Sequence, residues 1–127
     1  MEKNMNAINW FEIPVLDFER ARTFYSTLIG AEVAHHPMPD PNILYGVFPY
    51  EPGKGVGGAI IKMEGCTPSS EGVVIYINGG EDLSGPLSRV EAAGGKVLLP
   101  KTSIGENGFM AHFLDTEGNK LALHSMN

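Results

Sequence analysis

The chain predicts an α+β protein made of two βαβββ modules, and three observations carry that prediction. A strand-like run, Ile8 to Val15, leads through Asp17 into a helical run, Phe18 to Ile29, and then Gly30. The same layout returns at Val73 to Asn78, Glu81-Asp82, Leu83 to Ala93 and Gly94-Gly95. Behind each strand–helix pair come alternating apolar segments broken by Gly and Pro. Neither half would bury enough apolar surface alone, so both belong to one domain, 1–127. Its modules are 7–63 and 72–126, joined by a linker at 64–71. Paired units of this kind face each other around a cavity, which points to a small-molecule ligand.

In the first strand Phe11, Ile13 and Val15 alternate with Trp10, Glu12 and Pro14. Successive side chains on a strand face opposite ways, so the odd set belongs under a helix and the even set on the other face. Asp17 is an N-cap residue. Phe18, Ala21, Phe24, Tyr25, Leu28 and Ile29 form the apolar stripe of the helix, and Gly30 ends it. Ala31 to His36 is the second strand, stopped by the three prolines of Pro37 to Pro41. Ile43 to Phe48 and Val56 to Met63 follow. Gly57-Gly58 inside a strand predicts a bulge or a close approach to the backbone.

The segment from Glu64 to Gly72 reads as the connection between the halves. In the second helical run, Leu83 to Ala93, Pro86 fits only the first turn, so the regular helix begins at Ser84 or Gly85. Leu87, Val90 and Ala93 mark its buried side. Lys96 to Pro100, Phe109 to Leu114 and Lys120 to Ser125 are the last three strands. Asp115 to Asn119 is the final tight turn.

Composition excludes several function classes. Nine basic residues oppose 15 acidic ones, for a formal net charge of -6. No Lys/Arg cluster exists, so nucleic acid and anionic membranes are not expected partners. The single cysteine, Cys66, permits no internal disulfide and fits a reducing cytoplasm. Met1 to Asn6 lacks the apolar core of a signal peptide. The expected location is cytoplasmic.

The string Phe11-Glu12-Ile13-Pro14-Val15-Leu16-Asp17, with Arg20-Ala21, Phe24-Tyr25 and Gly30, resembles the opening of the glyoxalase/bleomycin-resistance/extradiol-dioxygenase superfamily, also called vicinal oxygen chelate. The ending is similar too: Val90 to Val97, then Phe113-Leu114-Asp115-Thr116-Glu117-Gly118-Asn119. The chain most resembles the bacterial branch labelled lactoylglutathione-lyase-related. The resemblance implies two modules curling into a cup, within the chain or across a two-fold axis, and in metal-dependent members His or Glu ligands on the first and last strand of each module; a homodimer is expected.

This chain departs from that pattern. The implied ligand positions fall on Trp10, on Ala122, on Val74 or Ile75, and within Gly57 to Ile61. None of these side chains ligates a metal, so no metal is expected at the customary site. Glu12 and His124 lie two residues beyond Trp10 and Ala122, and a step of two keeps a side chain on its face. Both should therefore enter the cup and approach each other. Tyr76 or Asn78 is the second module's candidate, and His112 is a further candidate for that face.

Three function readings follow. One is metal-independent small-molecule binding with Trp10, Tyr76, Asn78 and His112. Another is a lyase or isomerase using Glu12 and His124 as a carboxylate–imidazole pair, or with a displaced divalent metal. The third is an interaction module whose cup its own side chains fill. His35-His36 reads as a solvated strand end, Cys66 as inert, and Gly53 to Gly58 as a flexible hairpin rather than a phosphate loop.

Overall fold

The computed structural model describes residues 6–127. Met1 to Met5, part of the segment expected to carry no signal peptide, lies outside the described residues. The first unit contains β1 (Glu12–Pro14), α1 (Phe18–Ile29), β2 (Ala34–His35), β3 (Leu44–Val47) and β4 (Ala59–Lys62). The second contains β5 (Tyr76–Asn78), α2 (Ser84–Leu87), β6 (Lys96–Ser103), β7 (Phe109–Leu114) and β8 (Lys120–Ser125). A 3₁₀ turn, Gly105–Asn107, precedes β7. The sheets run β1-β4-β3-β2 and β5-β8-β7-β6. In each, the first strand lies parallel to the last, and the other pairs are antiparallel. One topology used twice is what the sequence repeat encodes.

The helix α1 has the predicted ends because both caps are present. The Asp17 carboxylate accepts the Arg20 N–H at 3.0 Å. Gly30 adopts φ 70°, a left-handed conformation that costs glycine nothing, and its N–H bonds the Ser26 carbonyl. The buried residues are Phe18, Ala21, Phe24, Tyr25 and Leu28, the stripe expected from their spacing.

The second helix is shorter than expected. Only Ser84–Leu87 is regular helix, not the run to Ala93. Gly85 and Pro86 weaken its start. The chain then closes mostly through three-residue steps, Val90 N–H to Leu87 O and Gly94 N–H to Glu91 O, before Gly95 N–H returns to Val90 O. Val90 is nevertheless fully buried, with Leu87 and Ala93 partly so. Turns do here what a helix does in the first unit.

Several strands are also shorter than their apolar runs. Within Ile8 to Val15 only Glu12–Pro14 forms the ladder, extended by Ala59 N–H to Phe11 O and Val15 N–H to Ile61 O. Upstream of β4, Gly57 and Gly58 lie against aromatic rings. A Cβ on Gly57 would collide with Tyr50, and one on Gly58 with Phe11. The close approach expected at this pair is therefore made by the chain's own aromatic side chains.

One core joins the two units. It contains Ile13, Val15, Phe24, Tyr25, Leu28 and Ile60 from the first and Ile77, Leu83, Val90, Phe113, Leu121 and Leu123 from the second. The rings of Phe24 and Phe113 sit 6.1 Å apart across the joint. A polar clasp reinforces it. The buried Tyr25 hydroxyl donates to Asp115 at 2.6 Å. Asn119 Nδ2 donates to the Pro14 carbonyl at 2.8 Å. Glu117 accepts from the N–H groups of Leu16 and Asp17 at the start of α1. The Asp115 to Asn119 turn thus satisfies its own backbone and also caps the other unit's helix. Among the described residues no helix is long and apolar enough to cross a membrane.

Candidate functional site

The strand alternation read from the sequence holds at β1 and β8. Ile13, Leu121 and Leu123 enter the common core, whereas Trp10 and Glu12 face the other side of their sheet. That second face has a floor of Ala59 and Ile61, with Tyr45 standing beside them. Tyr45 pairs with Ile61 across β3 and β4. Trp10 Nε1 donates to the Tyr45 hydroxyl at 2.9 Å, and that hydroxyl donates to Glu12 Oε2 at 2.6 Å. Each bond in such a chain polarises the next, so the relay points at the carboxylate. Burial of the phenol, and then its bond to Glu12, raise the Tyr45 pKa and keep its proton in place. Trp10 also meets the Tyr50 ring nearly at right angles, 5.5 Å between centroids.

On the second sheet, Tyr76, Ala122 and His112 form one row across β5, β8 and β7. The Tyr76 and His112 rings lie 6.1 Å apart over the Ala122 methyl. His112 Nε2 is buried and has no hydrogen-bond partner. Burial, with Lys120 adding to it, lowers the His112 pKa and favours the neutral ring. The next row holds Asn78, His124 and Met110. His124 Nε2 meets the Asn107 carbonyl at 2.6 Å. The Asn78 side-chain carbonyl accepts from Gly80 N–H, a local turn.

Glu12 and His124 therefore do not form the expected pair. The carboxylate is held by Tyr45 in one sheet and the imidazole by Asn107 in the other, and no bond joins them. Strand parity assigns a face but not what stands across from it.

The edge strands β1 and β5 share no backbone hydrogen bond among the described residues. A groove of about 1140 Å³ opens between β5 and the segment Trp10-Phe11 that leads into β1. It brings Trp10, Tyr76 and Asn78 together, with Phe48, Val56 and Leu28 among its apolar walls. A second cavity of about 330 Å³ adjoins it through Val73 and Ile75 and takes in Glu12 and Lys120. His112 and His124 line neither.

The metal implied by the resemblance does not fit these residues. Trp10 and Ala122 occupy two of its ligand positions. Among the described residues no group of three or more His, Cys, Asp or Glu is placed to hold a metal ion, and Glu12, His112 and His124 are not gathered into one. Tyr45 is the site residue that sequence reasoning missed. Its signal was present in the alternation of Ile43, Tyr45 and Val47, which share the Trp10 side of the sheet.

Known proteins share this architecture. Maize glyoxalase I superposes with a TM-score of 0.72 at 24% identity, over 92% of this chain and 45% of its own. TnmS3, an antibiotic binding protein from Streptomyces sp. CB03234, superposes at 0.68 with 21% identity, over 99% of this chain and 100% of its own. These likenesses are of fold. In sequence, CFP32 of Mycobacterium bovis, a provisional glyoxylase, is 27% identical over 94% of this chain. The chain spans 45% of that relative's length. The model of the Glyoxalase/Bleomycin resistance protein/Dioxygenase superfamily matches residues 7–123. With the doubled βαβββ topology, that match makes this chain a member of the superfamily.

Proposed function

We propose that the chain binds a small organic molecule in the groove between β5 and the segment leading into β1, without a metal at the customary position. The carrying observation is the groove itself, which gathers Trp10, Tyr76 and Asn78 from two modules. Its size and mixed lining suit a ligand of drug-like dimensions. Tyr76 is 51% exposed and Val73 93% exposed, so large apolar surface stands ready on its rim. The antibiotic binding named for TnmS3 is consistent with this use of the fold. A thermal-shift screen of aromatic and heteroaromatic compounds tests it. Hits should raise the melting temperature of the wild type and lose that effect in Tyr76→Ala. Hits whose shift survives both Tyr76→Ala and Trp10→Ala would remove the groove from the account.

A homodimer belongs to the same proposal. Both β1 and β5 are outer strands, an open groove lies between β5 and the segment leading into β1, and exposed edges and apolar rims are surfaces that a second copy covers. Light scattering should give twice the monomer mass at micromolar concentration, and a monomer there would refute it.

A further inference from the structure

The cluster around Glu12 on the outer face of the first sheet carries more than a place for an uncharged ligand. The Glu12 side chain is exposed, yet no basic residue pairs with it among the described residues. The Tyr45 bond fixes one carboxylate oxygen, Oε2, which sets the direction of the other. Trp10, tied to Glu12 through Tyr45, meets Tyr50 at 75°, two aromatic rings forming a corner. Tyr50 is held there because its ring rests against the backbone at Gly57, where any Cβ would collide with it. The corner is thus built from both sides: the relay anchors the indole by its N–H, and a glycine anchors the phenol by its face.

An oriented carboxylate linked through Tyr45 to an aromatic pair has a specific complement. Ring faces carry negative electrostatic potential and attract cations, most strongly when the cation is weakly hydrated. A carboxylate adds full Coulomb attraction. Lys62, the basic residue of β4, points to the opposite face, into a pocket with Asp17 and Phe18, and Lys120, which lines the small cavity with Glu12, makes no ion pair with it. The formal net charge of -6 further favours a positive ligand.

We propose that Glu12, Trp10 and Tyr50 form a subsite for an organic cation, an alkylammonium group of the ligand, with Tyr45 as the positioning residue that aims Glu12. The proposal rests on the groove reading through Trp10, which lines the groove and also forms one wall of the corner. It deepens that reading by assigning a charge class to one end of the ligand.

Trp10 is the chain's only tryptophan and belongs to both the corner and the groove, so its fluorescence reports binding at either, and Glu12→Gln assigns the signal to the corner. The test is a fluorescence titration with choline and with its neutral isostere, 3,3-dimethylbutan-1-ol. Choline should bind saturably and at least tenfold more tightly than the alcohol. Glu12→Gln should erase that preference while leaving the weak affinity for the alcohol. Tyr45→Phe, which keeps the ring and removes only the hydroxyl, should reduce the preference by a smaller factor. Equal binding of the two probes to the wild type overturns the cation subsite and leaves the groove reading intact. So does a preference that survives in folded Glu12→Gln. The absence of any saturable response to either probe overturns it as well. The groove reading falls only if the compound screen and its Tyr76→Ala control also fail. Should Glu12→Gln not fold, the ratio of the two probes on the wild type decides alone.

Discussion

The clasp at Glu117 gives a prediction with a calculable size. Its side chain is fully buried, and four donors converge on its two oxygens. Oε1 accepts from Leu16 N–H at 2.8 Å and Asp17 N–H at 2.7 Å. Oε2 accepts from Arg20 Nε at 2.7 Å and the Thr116 hydroxyl at 2.9 Å. Burial alone would raise the pKa. The Arg20 bond, the two backbone donors and the hydroxyl outweigh it, and bring the carboxyl from an ordinary 4.5 to about 2. A drop of that size corresponds to about 3 kcal/mol of folding stability from one ionisation. Arg20 is half exposed, so solvent screening trims its share. The folded pKa is depressed, so this stability is complete above the unfolded value. It is lost as pH falls from about 5 towards 2. Glu117→Gln keeps the shape and removes the charge. Urea unfolding of both proteins at pH 7 should show the variant weaker by about 2–3 kcal/mol. The gap should narrow by more than half at pH 2.5. Comparing the two proteins cancels other acid-sensitive groups such as Asp82, whose carboxyl also sits at about 2. A gap below 1 kcal/mol at pH 7, or one unchanged at low pH, would refute the account of the clasp.

Two further predictions concern packing and the joint between the units. Gly58→Ala should destabilise the protein by about 1–3 kcal/mol, because the added methyl enters space held by the Phe11 ring; an unchanged melting temperature would show that Phe11 moves aside freely. Tyr25→Phe should cost about 1–2 kcal/mol by removing the buried bond to Asp115, whose Oδ2 keeps only the Asn119 donor; equilibrium unfolding with an unchanged midpoint would count against a stabilising role.

Legibility in the sequence followed local chemistry. The helix Phe18–Ile29 was readable to the residue because Asp17 and Gly30 terminate it through their own conformations. The strands Phe109–Leu114 and Lys120–Ser125 were readable because a five-residue turn fixes both their inner ends. The helix after Leu83 was overextended because Leu87, Val90 and Ala93 mimic helical spacing while sitting on successive turns. The Asp115 to Asn119 segment reads as a turn, but its partners Leu16, Asp17 and Tyr25 lie 90 or more residues away. Such a clasp has no local signature.

The site shows the same division. Parity assigned Trp10 and Glu12 to the face away from the helix, and the fold agrees. Parity did not foretell the hydrogen-bond partners of Glu12 and His124, which are Tyr45 and the Asn107 carbonyl. Tyr45 escaped notice because its alternation with Ile43 and Val47 gives its face but not its hydroxyl's partners, Trp10 and Glu12, which lie 33 or more residues away.

The central claim is that ligand enters between β5 and the segment leading into β1. The direct measurement is backbone amide NMR of the protein titrated with the strongest hit of the compound screen. Shifts should concentrate at Trp10, Val73, Ile75, Tyr76 and Asn78. Shifts confined instead to the separate pocket of Leu16, Glu19, His35 and Lys62 would contradict the account.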